Sequence, residues 1–299
     1  MQPMTGSARR VAIVDACLRD GHGGSPTAVL LDAPMTDAER RRVPQLMGSS
    51  HAVFVSPHEM TGAAAHALRF FTAEEELPAC GHGTIAALAF LAHHAASGDY
   101  RTTLRTPGHV LSGRAVRTDG WVTASFDAGP VELREPTRAE RDLVLAAVGI
   151  TADVLAPGIR VAAVGRPRLL VPVTTRSALA ALTPDLNRLH AACDRLGLLG
   201  CYVYSAPGPS GRVAARMFAP SIGVPEDIAN ANSTACLAVH LADRGCTEIA
   251  VDMGDSLGSR ATITAAAVQG PSGRGAHLAG AARISRVLPL PGAFQQLGT

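Results

Sequence analysis

The sequence has few aromatic residues: Phe, Trp and Tyr together make up 4% of its 299 residues, and there is a single Trp. Such a chain has little surface on which nucleic-acid bases or sugar rings could stack. Charge is nearly balanced, with a formal net charge of +2, and the arginine run at 40–42 is expected to be a solvated helix face. The sequence therefore predicts no nucleic-acid partner and no binding to an anionic membrane.

Long apolar segments are missing as well. The longest apolar run, at 85–92, is far shorter than the roughly 20 residues that a membrane-spanning helix needs. The apolar stretch at 11–14 is too short for a signal peptide and is closed by Asp15. The six cysteines are scattered without a CxxC pair, which is neither a disulfide framework nor a zinc-binding spacing. We therefore predict a soluble, cytoplasmic protein that has no membrane partner and binds no metal.

Two segments that are apolar on nearly every side are predicted as helices, one over 85–96 and one that starts at about 235. A helix that is apolar all round must be buried all round. Each helix follows a strand-like segment and a turn of small polar residues. The pattern predicts two structural units, each with a buried helix at its centre.

The two helix regions also resemble each other in sequence. Thr84 aligns with Thr234 at a shift of 150 residues, and the strand-like segment 69–73 aligns with 216–220 at a shift of 147. The shift is about half of the chain length. We interpret this similarity as an internal duplication of one lobe.

The duplication predicts an N-terminal lobe over 1–128 and a C-terminal lobe over 129–299, with a crossover at 129–152 and the active site in the cleft between the lobes. The last strands could cross back to the first lobe. Both polar turns would then start a buried helix beside one shared cleft.

Both turns place small polar groups at the N-terminus of a buried helix. Such an end carries unpaired backbone N–H groups and the positive end of the helix dipole, which together bind carboxylates. Gly81 and Gly83 allow close approach to the first backbone, His82 lies between them, and Asp227 precedes the second helix. The pattern favours binding of a small carboxylic acid between two acid/base groups, although His82 and Asp227 could also be simple helix caps.

A series of short motifs spans nearly the whole chain. They are VD at 14–15, GSPTAV at 24–29, RFFT at 69–72, ELPACGHGT at 76–84, VGRPR at 164–168, YVYS at 202–205, RMFAP at 216–220, ED at 226–227, QG at 269–270 and GR at 273–274. In this order they resemble the phenazine-biosynthesis PhzF-like family, within the diaminopimelate-epimerase-like fold. The motif at 76–84 is the most specific of them.

The resemblance implies an α+β fold of two pseudo-symmetric lobes, each a curled, mostly antiparallel sheet around a central helix, and a homodimer. The family's best-known activity isomerises a dihydro-hydroxyanthranilate by moving a proton and the double bonds, without a metal or an organic cofactor. Carried over to this sequence, the match makes Gly81 and His82 site residues of the first lobe. Asp227 matches the acid of the second lobe.

Several polar positions depart from the family's pattern. His51 stands where the family has its acid/base Glu, Ser25 replaces an Asn, and the Gly-Ser helix start of the second lobe is Ala231-Asn232 here. An imidazole titrates near pH ~6.5 and can give or take a proton near neutrality. The predicted catalytic residues are therefore His51, His82 and Asp227. The predicted substrate-binding residues are Ser25, Cys80, Gly81, Gly83, Thr84, Asn230, Ala231, Asn232 and Ser233.

We therefore predict a cofactor-independent isomerase of specialised, antibiotic-type metabolism that moves a proton and a double bond in a small cyclic amino or carboxylic acid. Its substrate would be an unsaturated pyrroline carboxylate or a dihydroanthranilate-like acid. A catalytically silent small-acid binding protein and a two-thiol racemase or epimerase are the alternatives. The racemase is disfavoured because Cys80 has Asn230, which is not a base, as its second-lobe counterpart, and Cys236 lies too deep in its helix.

Overall fold

The computed structural model describes residues 9–58, 65–270 and 273–291. Its helices are α1 (Asp37–Met47), α2 (Gly81–His94), α3 (Arg138–Val148), α4 (Arg176–Ala180), α5 (Leu186–Leu196) and α6 (Ala231–Ala242). Its strands are β1 (Arg10–Leu18), β2 (Ser25–Leu31), β3 (His51–His58), β4 (Ala65–Phe71), β5 (Glu76–Leu77), β6 (Asp99–Arg105), β7 (Val110–Thr118), β8 (Trp121–Pro130), β9 (Glu132–Arg134), β10 (Arg160–Ala163), β11 (Pro167–Val173), β12 (Cys201–Ser205), β13 (Arg212–Ala219), β14 (Val224–Asp227), β15 (Glu248–Met253), β16 (Ala261–Gly270) and β17 (Gly273–Pro289).

The first lobe curls a sheet around α2. Strand β1 pairs antiparallel with β2, β2 parallel with β3, and β3 antiparallel with β4. Strand β4 then pairs antiparallel with β5 and parallel with β6, and β6, β7 and β8 continue as an antiparallel meander. Eleven of the fourteen residues of α2 are buried, as its all-round apolar sequence predicts. The sheet approaches it closely, since a Cβ on Gly113 would lie 2.6 Å from a methyl carbon of Leu88.

The second lobe repeats this order of pairings around α6. Strand β10 pairs antiparallel with β11, β11 parallel with β12, and β12 antiparallel with β13. Strand β13 pairs antiparallel with β14 and parallel with β15, and β15, β16 and β17 continue antiparallel. Ten of the twelve residues of α6 are buried. The predicted fold, two pseudo-symmetric lobes that each surround a central helix with a mostly antiparallel sheet, is confirmed.

The internal repeat extends to side-chain contacts. Arg69 forms an ion pair with Glu76 at 2.6 Å in the first lobe, and Arg216 forms one with Glu226 at 2.8 Å in the second. Each guanidinium also lies over the phenylalanine two residues further on, at 5.0 Å and 4.8 Å from the ring centroid. These equivalent contacts hold the turn before each central helix against its neighbouring strand.

Strand β17 connects the two halves. It pairs antiparallel with β16 of the second half and also with β1 and β8 of the first half. The segment 129–152, which we interpret as the crossover, contains β9 and α3. The cleft between the central helices is therefore braced by a strand that belongs to both sheets.

The prediction that the arginine run on α1 is a solvated face is wrong for Arg40, which is 7% exposed. Its guanidinium forms ion pairs with Asp32 at 2.9 Å and Asp37 at 3.1 Å, and it donates to the Met35 carbonyl oxygen at 2.6 Å. Carboxylates on both sides of the helix start compensate the buried charge. Arg42, two residues further on, is exposed as predicted.

Candidate active site

The two central helices begin at turns that face each other. Cys80 is the N-cap of α2 and Asn230 is the N-cap of α6. In each helix the threonine four residues after the cap donates its hydroxyl to the cap carbonyl oxygen, at 2.9 Å and 3.0 Å. A Cβ on Gly81 would lie 2.5 Å from the Cβ of Ala231. The positive ends of both helices therefore converge on one place.

The contact between the helix starts gives a stability prediction. Gly81→Ala is expected to lower the free energy of unfolding by about 1–3 kcal/mol, the usual cost of overpacking a closely packed interior. Urea denaturation measures the loss, with Gly98→Ala as the control because nothing lies within 4 Å of a Cβ there. Adding Ala231→Gly to Gly81→Ala should recover part of the loss. Unchanged stability of Gly81→Ala would show that the helix starts do not meet this closely.

A small cavity lies between the helix starts. Its free volume is about 40 Å³, whereas pockets that hold small-molecule ligands usually have ~300 Å³ or more. The lining residues are His51, Leu77, Pro78, Ala79, Cys80, Gly81, His82, Val164, Gly165, Arg166, Arg168, Leu199, Ile222, Asp227, Asn230, Ala231 and Asn232. In this structure the cavity is therefore closed to a cyclic acid.

The mouth of the cavity is closed by contacts between the two halves of the chain. Arg166 forms an ion pair with Glu75 at 2.7 Å across the cleft. Beside it, Gly165 and Pro78 are both exposed, and a Cβ on Gly165 would lie 3.9 Å from Cγ of Pro78. These contacts join the loop before α2 to the β10–β11 turn.

Two buried imidazoles lie at the first-lobe side of the cavity. His51 is the first residue of β3, and its Nδ1 lies 2.9 Å from the hydroxyl of Ser50. Its ring meets that of His82 edge to face, with 4.4 Å between the ring centroids. His82 Nε2 lies 3.6 Å from Sγ of Cys80. Three side chains with acid/base chemistry are thus brought together from β3 and the start of α2.

The surroundings displace the pKa values of the two histidines in opposite directions. Burial lowers the pKa of His51 well below its ordinary value, and the neighbouring His82 adds to this effect. Burial also opposes charge on His82, but Cys80, the Asp227 carboxylate and a hydrogen bond with the Ala229 backbone outweigh it and raise the pKa of His82 to about 9. At neutral pH the pair therefore combines a neutral imidazole with an imidazolium.

Asp227 and Asn230 hold each other on the second-lobe side. The Asn230 side-chain amide donates to one Asp227 carboxylate oxygen at 2.9 Å, and the Ala229 backbone N–H donates to the other at 3.3 Å. The Asn230 side-chain oxygen accepts from the Ser233 backbone N–H at 2.9 Å and caps α6. Asp227 is 4% exposed and is thereby fixed beside the cavity.

Most of the predicted site residues line the cavity, but four do not: Ser25, Gly83, Thr84 and Ser233. A Cβ on Gly83 would lie 3.0 Å from Cys80 Sγ, so this glycine serves packing. The Thr84 hydroxyl is bonded to the N-cap carbonyl oxygen, and that of Ser233 lies 3.6 Å from the Met217 sulfur. The Ser25 hydroxyl is buried without a partner among the described residues. Contact of these four with substrate stays a prediction.

The structure adds site residues to which sequence reasoning gave no role. Three of them, Leu77, Pro78 and Ala79, precede the first-lobe helix start. The others come from the β10–β11 turn, from β11 and from loops beside them: Val164, Gly165, Arg166, Arg168, Leu199 and Ile222. The signal was present, since 164–168 carries one of the motifs by which the family resemblance was recognised. The motif alone does not show that it folds over the first-lobe helix start.

One group of side chains has the composition of a metal site. The ligand atoms of His51, Cys80 and His82 lie within 4.8 Å of one another, and imidazole and thiolate are the preferred ligands of Zn²⁺. The family resemblance, in contrast, implies catalysis without metal. The cluster could therefore bind an added metal ion at the expense of its acid/base chemistry.

Chelation separates these two possibilities. Dialysis against EDTA is expected to leave solvent proton exchange into substrate unchanged, whereas added Zn²⁺ is expected to inhibit it, because the metal occupies the nitrogen lone pairs that would move protons. Cys80→Ser should weaken the inhibition. Loss of exchange with EDTA and recovery with Zn²⁺ would make the metal part of the catalyst.

Comparison with known proteins agrees with this geometry. Residues 14–286 match the family of phenazine biosynthesis-like proteins. The chain is 32% identical to trans-2,3-dihydro-3-hydroxyanthranilate isomerase of Pseudomonas aeruginosa over 238 aligned residues. This alignment covers 78% of this chain and 80% of that protein. A solved structure of a predicted epimerase from Pseudomonas aeruginosa has a TM-score of 0.80 at 25% identity, covering 95% of this chain and 99% of that chain. A hydroxyproline epimerase from Agrobacterium vitis shares the fold, with a TM-score of 0.63 at 12% identity over 94% of this chain and 90% of that chain.

The two-lobed fold with facing helix starts is that of the epimerase-like isomerases. Within this class, the chain belongs to the phenazine biosynthesis-like protein family, and it is an isomerase. The family resemblance and the fold inferred from the motifs are confirmed. In the part of the chain that the structure describes, no helix is long and apolar enough to cross a membrane.

Proposed function

We propose that the protein is a cofactor-independent isomerase that moves a proton and a double bond within a small cyclic amino or carboxylic acid. The observation that supports this best is the pair of buried imidazoles, His51 and His82, 4.4 Å apart with pKa values displaced in opposite directions. Neighbouring titratable groups whose pKa values are driven apart are the usual arrangement of a base and an acid in one active site.

In the proposed reaction, neutral His51 takes a proton from a ring carbon of the substrate. The electrons of that C–H bond form a new double bond, and the electrons of the old double bond take up a proton at another ring carbon. The imidazolium of His51 returns this proton, so the enzyme ends in its starting state. His82 stays protonated and donates a hydrogen bond that stabilises the negative charge developing on the substrate.

The remaining site groups would hold the substrate. The helix starts at 81–83 and 231–232 present backbone N–H groups and positive dipole ends, which favour a carboxylate between them. Asp227 would face an amino or iminium group, because an opposite charge at short range stabilises the cationic form. Substrate binding across both lobes would also favour the closed form that the structure shows.

We further propose an unsaturated pyrroline carboxylate or a dihydroanthranilate-like acid of antibiotic-type metabolism as substrate. The relative named for its action on a dihydro-hydroxyanthranilate supports this class of molecule. His51 stands in place of the family's Glu, and an imidazole is neutral or cationic but never anionic. This difference supports a substrate other than the dihydro-hydroxyanthranilate itself. We propose a homodimer in the cytoplasm, and light scattering would test the dimer.

The proposal is tested by incubating the protein in D₂O with a panel of pyrroline carboxylates, dihydroanthranilates and their saturated analogues. Deuterium uptake at a ring carbon is followed by NMR. It is expected only for acids in which that carbon is next to a double bond of the ring. Thermal stabilisation by the acids without any exchange would instead indicate a silent binding protein. Exchange into a saturated amino acid that a thiol alkylator abolishes would indicate the two-thiol racemase.

A further inference from the structure

Arg168, at the start of β11, is the most unusual charged residue of the cavity lining. It is 1% exposed and ranks among the largest fully buried side chains. Nη2 donates to the carbonyl oxygens of Val164 at 3.0 Å and Arg166 at 2.6 Å, and Nη1 lies 3.5 Å from Sγ of Cys236. Nε is buried without a partner. No carboxylate is among its contacts within the described part of the chain.

A buried guanidinium without a counter-ion is costly, and other arginines in the described part of the chain are paired. Buried Arg40 contacts two aspartates, and partly buried Arg216 contacts Glu226. Taking a charge out of water is costly unless an opposite charge or a full set of hydrogen bonds compensates it. Arg168 has neither, because its Nε has no partner and the groups that its other nitrogens contact are neutral.

The neighbouring side chains do not supply the missing negative charge. Burial raises the pKa of the Cys236 thiol, which therefore stays neutral beside the guanidinium. Burial also raises the pKa of the Tyr202 phenol, although the positive charge of Arg168 opposes this effect. Among the described residues, the hydrogen-bond partners of Arg168 therefore include no anion.

The two arginines of the cavity lining differ in their partners. Arg166 forms an ion pair with Glu75, whereas Arg168 forms none with a carboxylate of the described residues. A carboxylate of a bound molecule would supply the partner that Arg168 lacks.

We propose that Arg168 is the counter-ion of the substrate's carboxylate, and that its free Nε–H donates to a carboxylate oxygen held at the start of α6. This inference rests on the proposed function, because it names the group that recognises the substrate class of the same site. Arg168 thereby selects free carboxylic acids over their amides and esters. Arg168 lines the same cavity as Asn230, Ala231 and Asn232 of the second-lobe helix start, where the carboxylate is expected.

The test compares equilibrium binding of an acid with that of its amide. Calorimetry on the full chain uses pyrrole-2-carboxylate against pyrrole-2-carboxamide, and anthranilate against anthranilamide. The wild type is expected to prefer the acid in at least one pair. Arg168→Met should weaken binding of that acid by about 10- to 100-fold, the effect of losing a hydrogen bond to a charged group, and leave binding of the amide unchanged.

Matched variants make the result specific. Arg195→Met removes the same charge from an exposed position on α5 and should leave the preference intact. Arg168→Lys keeps the charge but lacks the Nε–H, so it should prefer the acid over the amide less strongly than the wild type does. If Arg168→Met does not fold, this weaker preference of Arg168→Lys tests the inference instead. A wild type without preference for the acid in either pair, or an Arg168→Met protein that keeps it in full, overturns the inference. Proton exchange is measured separately, so that an intact preference without exchange would count against the proposed function alone.

Discussion

Replacing His51 with glutamine is expected to slow deuterium uptake from solvent into substrate by about 100- to 10,000-fold, the range that a positioned acid/base group contributes. Glutamine keeps most of the side chain's volume but has no group that titrates near neutrality. Substrate affinity should change little, because His51 exchanges a proton with the substrate rather than holding its carboxylate. The measurement is the exchange rate at saturating substrate, followed by NMR.

His51→Glu is the informative companion, because it restores the residue type that the PhzF-like family uses at this position. A carboxylate can also take and return a proton, so this variant should exchange faster than His51→Gln. It should differ from the wild type in its pH dependence, because the Glu titrates from a lower ordinary pKa. Exchange at the wild-type rate in both variants would remove His51 from the mechanism.

Replacing His82 with asparagine is expected to lower the turnover rate by about 100-fold or more, the cost of removing one donor that stabilises a developing negative charge. The substitution makes the first helix start resemble the second, where Asn232 occupies the equivalent position. Asparagine keeps a neutral N–H donor but loses the positive charge. The loss should therefore appear in turnover more than in the affinity for substrate.

The same variant should shift the pH dependence of exchange. The charge on His82 helps to keep the pKa of His51 low, so removing it makes His51 easier to protonate. Because only neutral His51 can act as a base, activity in His82→Asn should fall at a higher pH on acidification than in the wild type. His190→Asn, at an exposed position on α5, is the control. An unshifted acid limb would contradict the electrostatic coupling of the pair.

The sequence carried enough information to predict the fold, and it predicted the two helix starts between which the candidate site lies. The central helices are apolar on all sides, a local pattern that has one structural solution, and the similar strand before each of them, with shifts of 147 residues for the strands and 150 for the helices, revealed the duplication. Cys236, predicted to lie in the core, is fully buried. The placement of His51 beside His82, from a separate strand, could be expected only through the resemblance to a family.

Other features depend on tertiary contacts that no local pattern encodes. Arg168 and Arg40 are both charged residues that composition alone would place in solvent, and their burial is visible only once the neighbouring strands and turns are in place. The opposite pKa displacements of His51 and His82 depend on which of them lies near Cys80 and Asp227. The sequence indicated two histidines with acid/base potential, and the structure shows why they differ.

The most direct test is an imidazole ¹⁵N NMR titration of the wild-type protein, with the resonances of His51 and His82 assigned from the Gln and Asn variants. His82 is expected to be an imidazolium at neutral pH and to lose its proton at a pH of about 9. His51 is expected to remain neutral to well below its ordinary pKa of ~6.5. If both rings instead titrate together near pH ~6.5, the site does not hold a separate base and acid, and the proposed division of roles is wrong.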